Sequence, residues 1–293
     1  MSALVEQPEA ILSIAPRPSW LRRGAFTYWT TWVGITFWVL LIGIAVVGPL
    51  AAPHGVGEIV GSPFQKPSGA FPLGTDFVGR DVLSRFLDGG RLLLLQSIAS
   101  AVLAVGIGAT IGLAMAYIGG WLETLVMRIT DAFISIPGLV LTLLLIASAG
   151  TGSVAITIVV AIVEVPYISR FVRGIGLEIV QRDYVFAAQA RGESIFYVVR
   201  KELFPNVLTP ISIDLAFRIS YAGLIIASLA FLGFGANPPR SDWGIMINEN
   251  RLGLVIQPWS MVVPALGIAM LTLSSALIGD GITRAARRGG GAR

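Results

Sequence analysis

Three ionisable residues of this sequence fall within or beside apolar stretches, where charge is costly. Glu164 lies inside a predicted membrane span, and a carboxylate there is by default a candidate for function, facing a bundle interior or an aqueous cavity. Two interpretations stay open for it: it contacts a solute, or it pairs with a neighbouring Arg or helix end. Asp214 and Arg218 are four residues apart on one helix face, which favours a local ion pair over a gate. We take Glu164, Asp214 and Arg218 as the candidate residues of a solute pathway.

The Cys and His residues that many nucleophilic and metal sites use are nearly absent. The chain has no Cys and a single His, His54, which we expect to be solvated in a loop rather than to act as a ligand. An intramembrane hydrolase would need a His within the spans or a pair of Asp residues at mid-depth, and the sequence offers neither. We therefore predict no catalytic residue, no metal site and no cofactor bound by this chain.

The composition is that of an integral membrane protein. Apolar residues make up 55% of the chain, charged residues 13%, and the mean hydropathy is +0.79. Soluble domains carry about 25% charged residues. The net charge of +4 comes from Arg clusters between apolar spans rather than from one basic face with interleaved aromatic residues, so we expect the lipid bilayer, and no nucleic acid, as a partner.

Uncharged runs of sufficient length mark the elements that must position these residues. Each can hold at least one spanning helix of about 20 residues, and they cover 24–57, 92–122, 132–163, 219–239 and 252–279. The turn signal at 150–153 divides the third run into two predicted helices, 124–149 and 154–172. We predict an all-α, polytopic membrane protein with six transmembrane helices.

Charge bias supports six spans over five. With the N-terminus in the cytoplasm, six spans place 14 of the 21 Lys and Arg residues in cytoplasmic segments. Five spans would put the loop 173–206 and the Arg-rich tail on the outside, against the positive-inside rule. We therefore predict that both termini are cytoplasmic.

The predicted organisation has five parts. They are a cytoplasmic segment (1–31), a first transmembrane helix (32–52), an extracellular loop with an amphipathic helix (53–91), a core transmembrane domain (92–281) and a cytoplasmic tail (282–293). The core contains a cytoplasmic loop at 182–206 and an extracellular loop at 234–257.

The two extracellular loops each contain a predicted short helix. In the first, Val82, Leu83, Phe86 and Leu87 recur at helical spacing, and Gly89-Gly90 is taken as its stop signal. Two roles stay open for this helix: it covers a pore mouth, or it docks a binding protein. In the second loop, a turn at 238–239 is predicted to precede the helix.

The segment 183–206, DYVFAAQARGESIFYVVRKELFPN, has about twice the charge density of the rest of the chain. Its pattern predicts a helix, a turn at Gly192 and a second helix that Pro205 stops before the next span. Small side chains at Ala187 and Ala188 would let a partner approach the backbone closely, while the charged positions fix the register. We interpret it as a docking element on the cytoplasmic side.

Three motifs resemble a known family. Ala187-Ala188, Gly192 and Phe204-Pro205 resemble the cytoplasmic EAA loop of ATP-binding-cassette import permeases, with Phe186 at the position of the name-giving Glu. PLGTDFVGRDVLSR (72–85) resembles a signature of the C-type permease subunit of dipeptide, oligopeptide and nickel importers. FLGFGANPPRSDWG (231–244) is similar to a second signature of that subfamily.

The resemblance implies the type I importer permease fold and a pore-forming subunit that imports oligopeptides or dipeptides across the cytoplasmic membrane. The residues it implies for coupling to the ATPases are Tyr184, Ala187, Ala188, Arg191, Gly192, Glu193, Phe204 and Pro205.

The implied partners are a second permease subunit in a heterodimer, two ATP-binding-cassette ATPase subunits and an extracytoplasmic substrate-binding protein. ATP and Mg would be bound by the ATPases. The chain has only two lysines, Lys66 and Lys201, and neither stands in a G-x-x-x-x-G-K-[ST] phosphate loop, so ATP hydrolysis is expected from another chain.

Two alternatives to peptide import are kept. The same machinery could import nickel or glutathione, since the solute is bound first by the binding protein. A protein of another class, an ATP-independent channel or secondary transporter, would be expected to have paired broken helices in two halves of the chain, which the sequence does not display.

Overall fold

A computed structural model of the chain describes residues 28–235 and 240–290, with side chains as far as Ala285. The described secondary structure is helical, apart from two isolated antiparallel bridges in the first long connection. The α-helices are α1 (Trp29–Ala51), α2 (Val82–Ile118), α3 (Gly120–Ile134), α4 (Gly138–Ala149), α5 (Ser153–Val180), α6 (Asp183–Ala190), α7 (Ile195–Tyr197), α8 (Phe204–Leu229), α9 (Trp243–Asn250) and α10 (Trp259–Gly290).

Five stretches are long and apolar enough to cross a membrane. They are Trp29–Ala51, Val82–Ile118, Ser153–Val180, Ile195–Phe234 and Trp259–Ala285. A sixth crossing is present if α3 and α4, which are bent by 94° relative to each other, count as one broken span. The predicted all-α membrane fold is confirmed, with six spans when the bent pair is counted.

The bend between α3 and α4 corrects one prediction. A single helix over 124–149 is wrong, because α3 ends at Ile134 and α4 begins only at Gly138. Pro137 lies between them. It has no backbone N–H to donate, and the residue before a proline is disfavoured in helical conformation, so the first helix ends and the chain turns.

Two other predicted helices can be compared with the structure. The first span, predicted over 32–52, is Trp29–Ala51. The predicted 154–172 helix extends further, to Val180, which places Glu164 near the middle of α5. The charged residues at the end of α5 therefore continue the helix beyond the apolar run instead of ending it.

The contact between α2 and α5 forms the centre of the bundle and depends on glycine. A Cβ added at Gly108 would lie 2.7 Å from the Cβ of Ile168, and one at Gly176 would lie 2.7 Å from the Cβ of Ala116. Gly112 is equally tight, since its Cβ would come 2.5 Å from the backbone oxygen of Ser169. Small residues let the two backbones approach, as in other membrane bundles.

The first long connection does not contain a separate amphipathic helix. The predicted stop at Gly89-Gly90 is wrong, because α2 starts at Val82 and runs without interruption to Ile118. Both glycines face Trp243 of α9, and a Cβ at Gly89 would lie 3.0 Å from its ring. These glycines give an indole ring room against the helix, and packing overrides their weak helix propensity.

The 183–206 segment has the predicted helix, glycine turn and second helix, but its end differs. Pro205 does not stop the second helix, which passes through a π-helical turn (Val198–Leu203) directly into α8. Pro205 lies near the start of α8, directly after the π-helical turn, and the helical backbone continues through it. The segment is thus continuous with a membrane span.

The predicted turn at 238–239 and the segment 1–27 lie outside the described residues, and so does the end of the predicted tail at 291–293. The short helix predicted after that turn is present as α9.

Candidate functional site

The 183–206 segment has one face packed on the bundle. Val185, Ala188, Val198 and Leu203 are fully buried, in one apolar cluster with residues of α2 and α5 that include Leu113 and Val172. This corrects the expectation that both alanines face a partner, because Ala188 points into the bundle and only Ala187 is exposed. The segment is therefore joined to α2 and α5 by a shared apolar cluster.

The opposite face of the segment is exposed and rich in large apolar side chains. The most exposed is Phe196, at 71%, and the others are Tyr184, Phe186, Ile195, Tyr197 and Phe204. Six such side chains close together exceed the scattered apolar residues of an ordinary surface. Tyr184 and Phe186 follow Val180, the end of the α5 span, whereas the other four lie at the start of the stretch Ile195–Phe234, which continues into α8.

The turn of the segment depends on Gly192. Its φ of +75° lies in the left-handed region, which residues with a Cβ rarely adopt. Arg191 and Glu193 flank it and form an ion pair with a 3.6 Å separation between Nε and Oε1. Ser194 then caps α7 by accepting a hydrogen bond from the Tyr197 backbone N–H at 3.3 Å.

The three candidate pathway residues lie on two adjacent spans. Arg218 and Asp214 on α8 form the predicted ion pair, with 3.3 Å between Arg218 Nε and Asp214 Oδ2. The guanidinium also lies 5.7 Å from the centre of the Tyr167 ring on α5. Glu164 is fully buried on α5, and neither carboxylate oxygen has a hydrogen-bond partner within the described part of the chain. The pairing interpretation for Glu164 is thus not realised in this structure.

At the other end of α2 is a feature that the sequence reasoning missed. We name it the charge clamp, and it consists of Asp76, Arg80, Arg85 and Glu249. Arg85 Nη1 donates to Asp76 Oδ2 at 2.5 Å and to Glu249 Oε2 at 2.7 Å, and Arg80 contacts the same two carboxylates at 2.7 and 3.0 Å. The clamp ties the first long connection to α9.

Burial, hydrogen bonds and neighbouring charges act together on the pKa of Asp76. Burial alone would raise the pKa of Asp76, but the Arg80 backbone N–H and the charges of Arg85 and Arg80 hold that pKa below its usual range. The motif at 72–85 supplied the signal for this site, because its Asp and Arg residues recur at spacings that a loop and a helix turn bring together. Glu249 could not be assigned from that motif.

The Asp-Trp-Gly end of the motif at 231–244 is also explained by packing. The Trp243 ring is fully buried and stacks on Phe86 at 5.1 Å between ring centres, and its Nε1 donates to the Phe86 carbonyl at 2.8 Å. Asp242 caps α9 by accepting from the Gly244 N–H at 2.8 Å, and its burial raises the pKa to about 6. These residues stabilise the end of the bundle.

His54 is less solvated than expected. Its Nδ1 lies 3.4 Å from Asp81 Oδ2, and its backbone N–H donates to the Ser84 hydroxyl at 3.0 Å. Among the residues that the structure describes, no three His, Cys, Asp or Glu side chains are placed to hold a metal ion.

Comparison with known proteins gives a consistent result. Residues 108–288 match the family described as "Binding-protein-dependent transport system inner membrane component". The chain is 36% identical over 218 residues to the glutathione transport system permease protein GsiD of Pectobacterium atrosepticum, covering 74% of this chain and 72% of that protein. The proteins of that name from Shigella boydii and Shigella sonnei are 33% identical over 289 residues, covering 94% of each chain. The family match includes the 183–206 segment and all three candidate pathway residues.

Proposed function

We propose that this chain forms half of the pore of a small-peptide importer. The premise is that the chain belongs to the family of binding-protein-dependent transport system inner membrane components, and is thereby a permease subunit of an ATP-binding-cassette importer. In this proposal the chain itself hydrolyses no ATP and holds no cofactor. Two ATPase subunits bind ATP and Mg, a second permease completes the pore as a heterodimer, and an extracytoplasmic protein delivers the solute.

One observation carries the coupling part of this proposal: the 183–206 segment is exposed and aromatic on one face and packed on the bundle by the other. We assign Tyr184, Ala187, Arg191, Gly192, Glu193 and Phe204, together with the exposed Phe196, to contact with an ATPase or to the shape of its docking surface. Ala188 and Pro205 act instead by joining the segment to the spans. Closure of the ATPases would then move α8 as a rigid body.

The orientation follows from the same assignment. The 183–206 segment and both termini are placed in the cytoplasm, and the charge clamp faces the outside. This agrees with the excess of Lys and Arg in the segments assigned to the cytoplasm.

For the pathway, we propose that Glu164 contacts the solute or its ammonium group in one state of the transport cycle. Its carboxylate is fully buried and has no hydrogen-bond partner in the described residues, which costs free energy unless another state supplies one. Arg218 and Asp214 satisfy each other and serve to shape the wall beside it.

The solute class is assigned from the family resemblance and the relatives. We propose small peptides. Glutathione is the second candidate because the relatives with 33–36% identity are named as glutathione transport permeases, and glutathione is itself a modified tripeptide. Nickel stays a weaker alternative.

Reconstitution tests the function directly. The chain, its partner permease and both ATPases are inserted into liposomes, and the binding protein is added outside with a radiolabelled peptide. We expect the peptide to accumulate against its gradient only when ATP and both ATPases are present. Accumulation or equilibration by the permeases alone would instead identify a secondary transporter or a channel.

A further inference from the structure

A cleft with unneutralised positive charge lies beside the charge clamp. Its volume is about 360 Å³. The lining residues come from the start of α2 and from the chain before α9, and they are Asp88, Arg91, Leu92, Leu95, Arg240 and Ser241. The four from α2 follow helical spacing, so they form one stripe that faces the Arg240-Ser241 backbone.

The two arginines of the cleft differ from the other arginines at this end of the bundle. Arg80 and Arg85 are neutralised by Asp76 and Glu249. Arg91 and Arg240 are both exposed, and neither forms an ion pair with a carboxylate in residues 28–235 and 240–290. Two guanidinium groups and one carboxylate leave the lining with an excess of positive charge.

The polar groups of Asp88 and Ser241 in the cleft differ in whether they have hydrogen-bond partners. One oxygen of Asp88 accepts a hydrogen bond from the Ser241 backbone N–H at 3.3 Å. The Ser241 hydroxyl is buried, with the residue only 2% exposed, and has no hydrogen-bond partner within the described residues. A buried hydroxyl without a partner costs free energy.

The shape and charge of the cleft together determine which ligands it favours. Guanidinium groups bind carboxylates through paired hydrogen bonds, and Leu92 and Leu95 offer an apolar wall to the stem of a side chain. Asp88 can accept from an ammonium group with its second oxygen. The lining therefore favours an amphoteric molecule with more carboxylates than ammonium groups.

From this arrangement we infer that the cleft is a selectivity site that binds a carboxylate of an acidic peptide as it enters the importer. The inference rests on the proposed function, because it assumes that peptides reach this end of the bundle. It names a property of the permease itself, separate from the selectivity of the binding protein.

The test compares two solutes on the same preparation of the complete reconstituted complex. The solutes are glutathione, which has one more carboxylate than ammonium group, and trialanine, which has equal numbers. In Arg91→Gln and Arg240→Gln, and in the double variant, we expect the ratio of glutathione to trialanine import to fall about tenfold. Arg251→Gln is the matched control, since Arg251 is an exposed arginine outside the cleft whose side-chain hydrogen bonds, within the described residues, go to Asn248.

A ratio measured on one preparation is unaffected by the amount of complex that assembles. A second measurement needs no variant: in the wild type, glutathione import should decrease more than trialanine import as salt is raised, because exposed charges are screened. An unchanged ratio of glutathione to trialanine import in both measurements overturns the inference. An equal loss of import for both solutes also overturns it, and would assign the cleft to docking of the binding protein. If the wild type imports the neutral peptide but no acidic one, the inference is also wrong. If it imports no peptide at all, the proposed function fails instead.

Discussion

Arg85 is the residue on which the charge clamp depends. Its side chain is 3% exposed and donates hydrogen bonds to the carboxylates of Asp76 and Glu249. Removing one partner of a buried ion pair leaves an uncompensated charge and costs roughly 3–5 kcal/mol. We predict that Arg85→Ala lowers the Tm of the detergent-solubilised protein by several degrees, whereas Arg251→Ala, at an exposed site, changes it by less than about one degree. Equal effects of the two substitutions would show that the clamp adds nothing to stability.

Asp242 makes stability depend on pH near neutrality. Burial raises its pKa from 3.8 to about 6, so the folded protein binds this proton more tightly than the unfolded chain. The ionised carboxylate therefore destabilises the fold above pH 6, and this cost disappears as pH falls towards 4. The shift corresponds to an effect on the order of 3 kcal/mol.

The expected outcome is a rise in Tm between pH 7.5 and 5 in the wild type that is smaller in Asp242→Asn. The titration of Asp76 does not contribute between pH 7.5 and 5. Because the pKa of Asp76 is lowered, its stabilising contribution persists until pH falls below about 3.8. A Tm change of the same size in wild type and Asp242→Asn would contradict the assignment.

At the scale of elements, three proline and glycine positions show what sequence alone can decide. Pro137 ends a helix, Pro205 lies within a continuous one, and Gly89-Gly90 is helical. Proline and glycine both have low helix propensity, so the sequence alone indicates a helix end at each of these positions. Tertiary packing decides whether the helix ends there. At Pro205 a π-helical turn accommodates the ring, and at Gly89 the Trp243 side chain needs the space.

The apolar runs and charge bias were sufficient to predict the helical membrane fold and the helix, turn and helix at 183–206. They could not predict that Ala188 faces inward, because an eight-residue helix with little amphipathicity does not reveal which side is buried. Asp76, Arg80 and Arg85 of the charge clamp stand in the motif at 72–85, but Glu249 could not be assigned to it because it is distant in sequence from Asp76.

The Gly192 turn gives a prediction about coupling. Open space surrounds its Cα, with no heavy atom within 4 Å of an added Cβ, so a substitution acts only through the positive φ. Valine there costs about 1–2 kcal/mol in the left-handed region, while Asn tolerates it better. We predict that Gly192→Val uncouples ATP hydrolysis from transport in the reconstituted complex and that Gly192→Asn retains most coupling.

The control is Gly152→Val, which also has open space but an ordinary φ of −67°. It should leave the ratio of ATP hydrolysed to solute imported unchanged. Full coupling in Gly192→Val would mean that the shape of this turn is irrelevant to the ATPase contact.

The α2–α5 contact gives a prediction about stability. Gly112→Ala places a methyl group 2.5 Å from the Ser169 backbone oxygen, and such overpacking typically costs 1–3 kcal/mol. Gly106→Ala is the matched substitution, on the same helix with no atom within 4 Å, and it should be neutral or slightly stabilising. Thermal unfolding of both variants measures the difference. A Gly112→Ala protein as stable as the wild type would show that the two helices can separate freely.

At the scale of the whole molecule, α2 connects two ends with different roles. One end carries the charge clamp and the cleft lined by Arg91 and Arg240, and the other is packed against the 183–206 segment. The bundle between them has glycine contacts that leave little room for the helices to slide. A displacement of the segment by ATPases is therefore expected to reach the opposite end as a rigid-body movement of spans.

The placement of the 183–206 segment is the claim on which this account depends, and the absence of Cys from the chain makes it directly testable. Single-cysteine variants Phe196→Cys and Leu252→Cys are treated with a membrane-impermeant maleimide; both parent side chains are highly exposed, at 71% and 85%. We predict that Phe196→Cys is labelled only in inside-out vesicles and is protected when the ATPases are bound, while Leu252→Cys is labelled only in right-side-out vesicles. Labelling of Phe196→Cys from the outside would contradict the account.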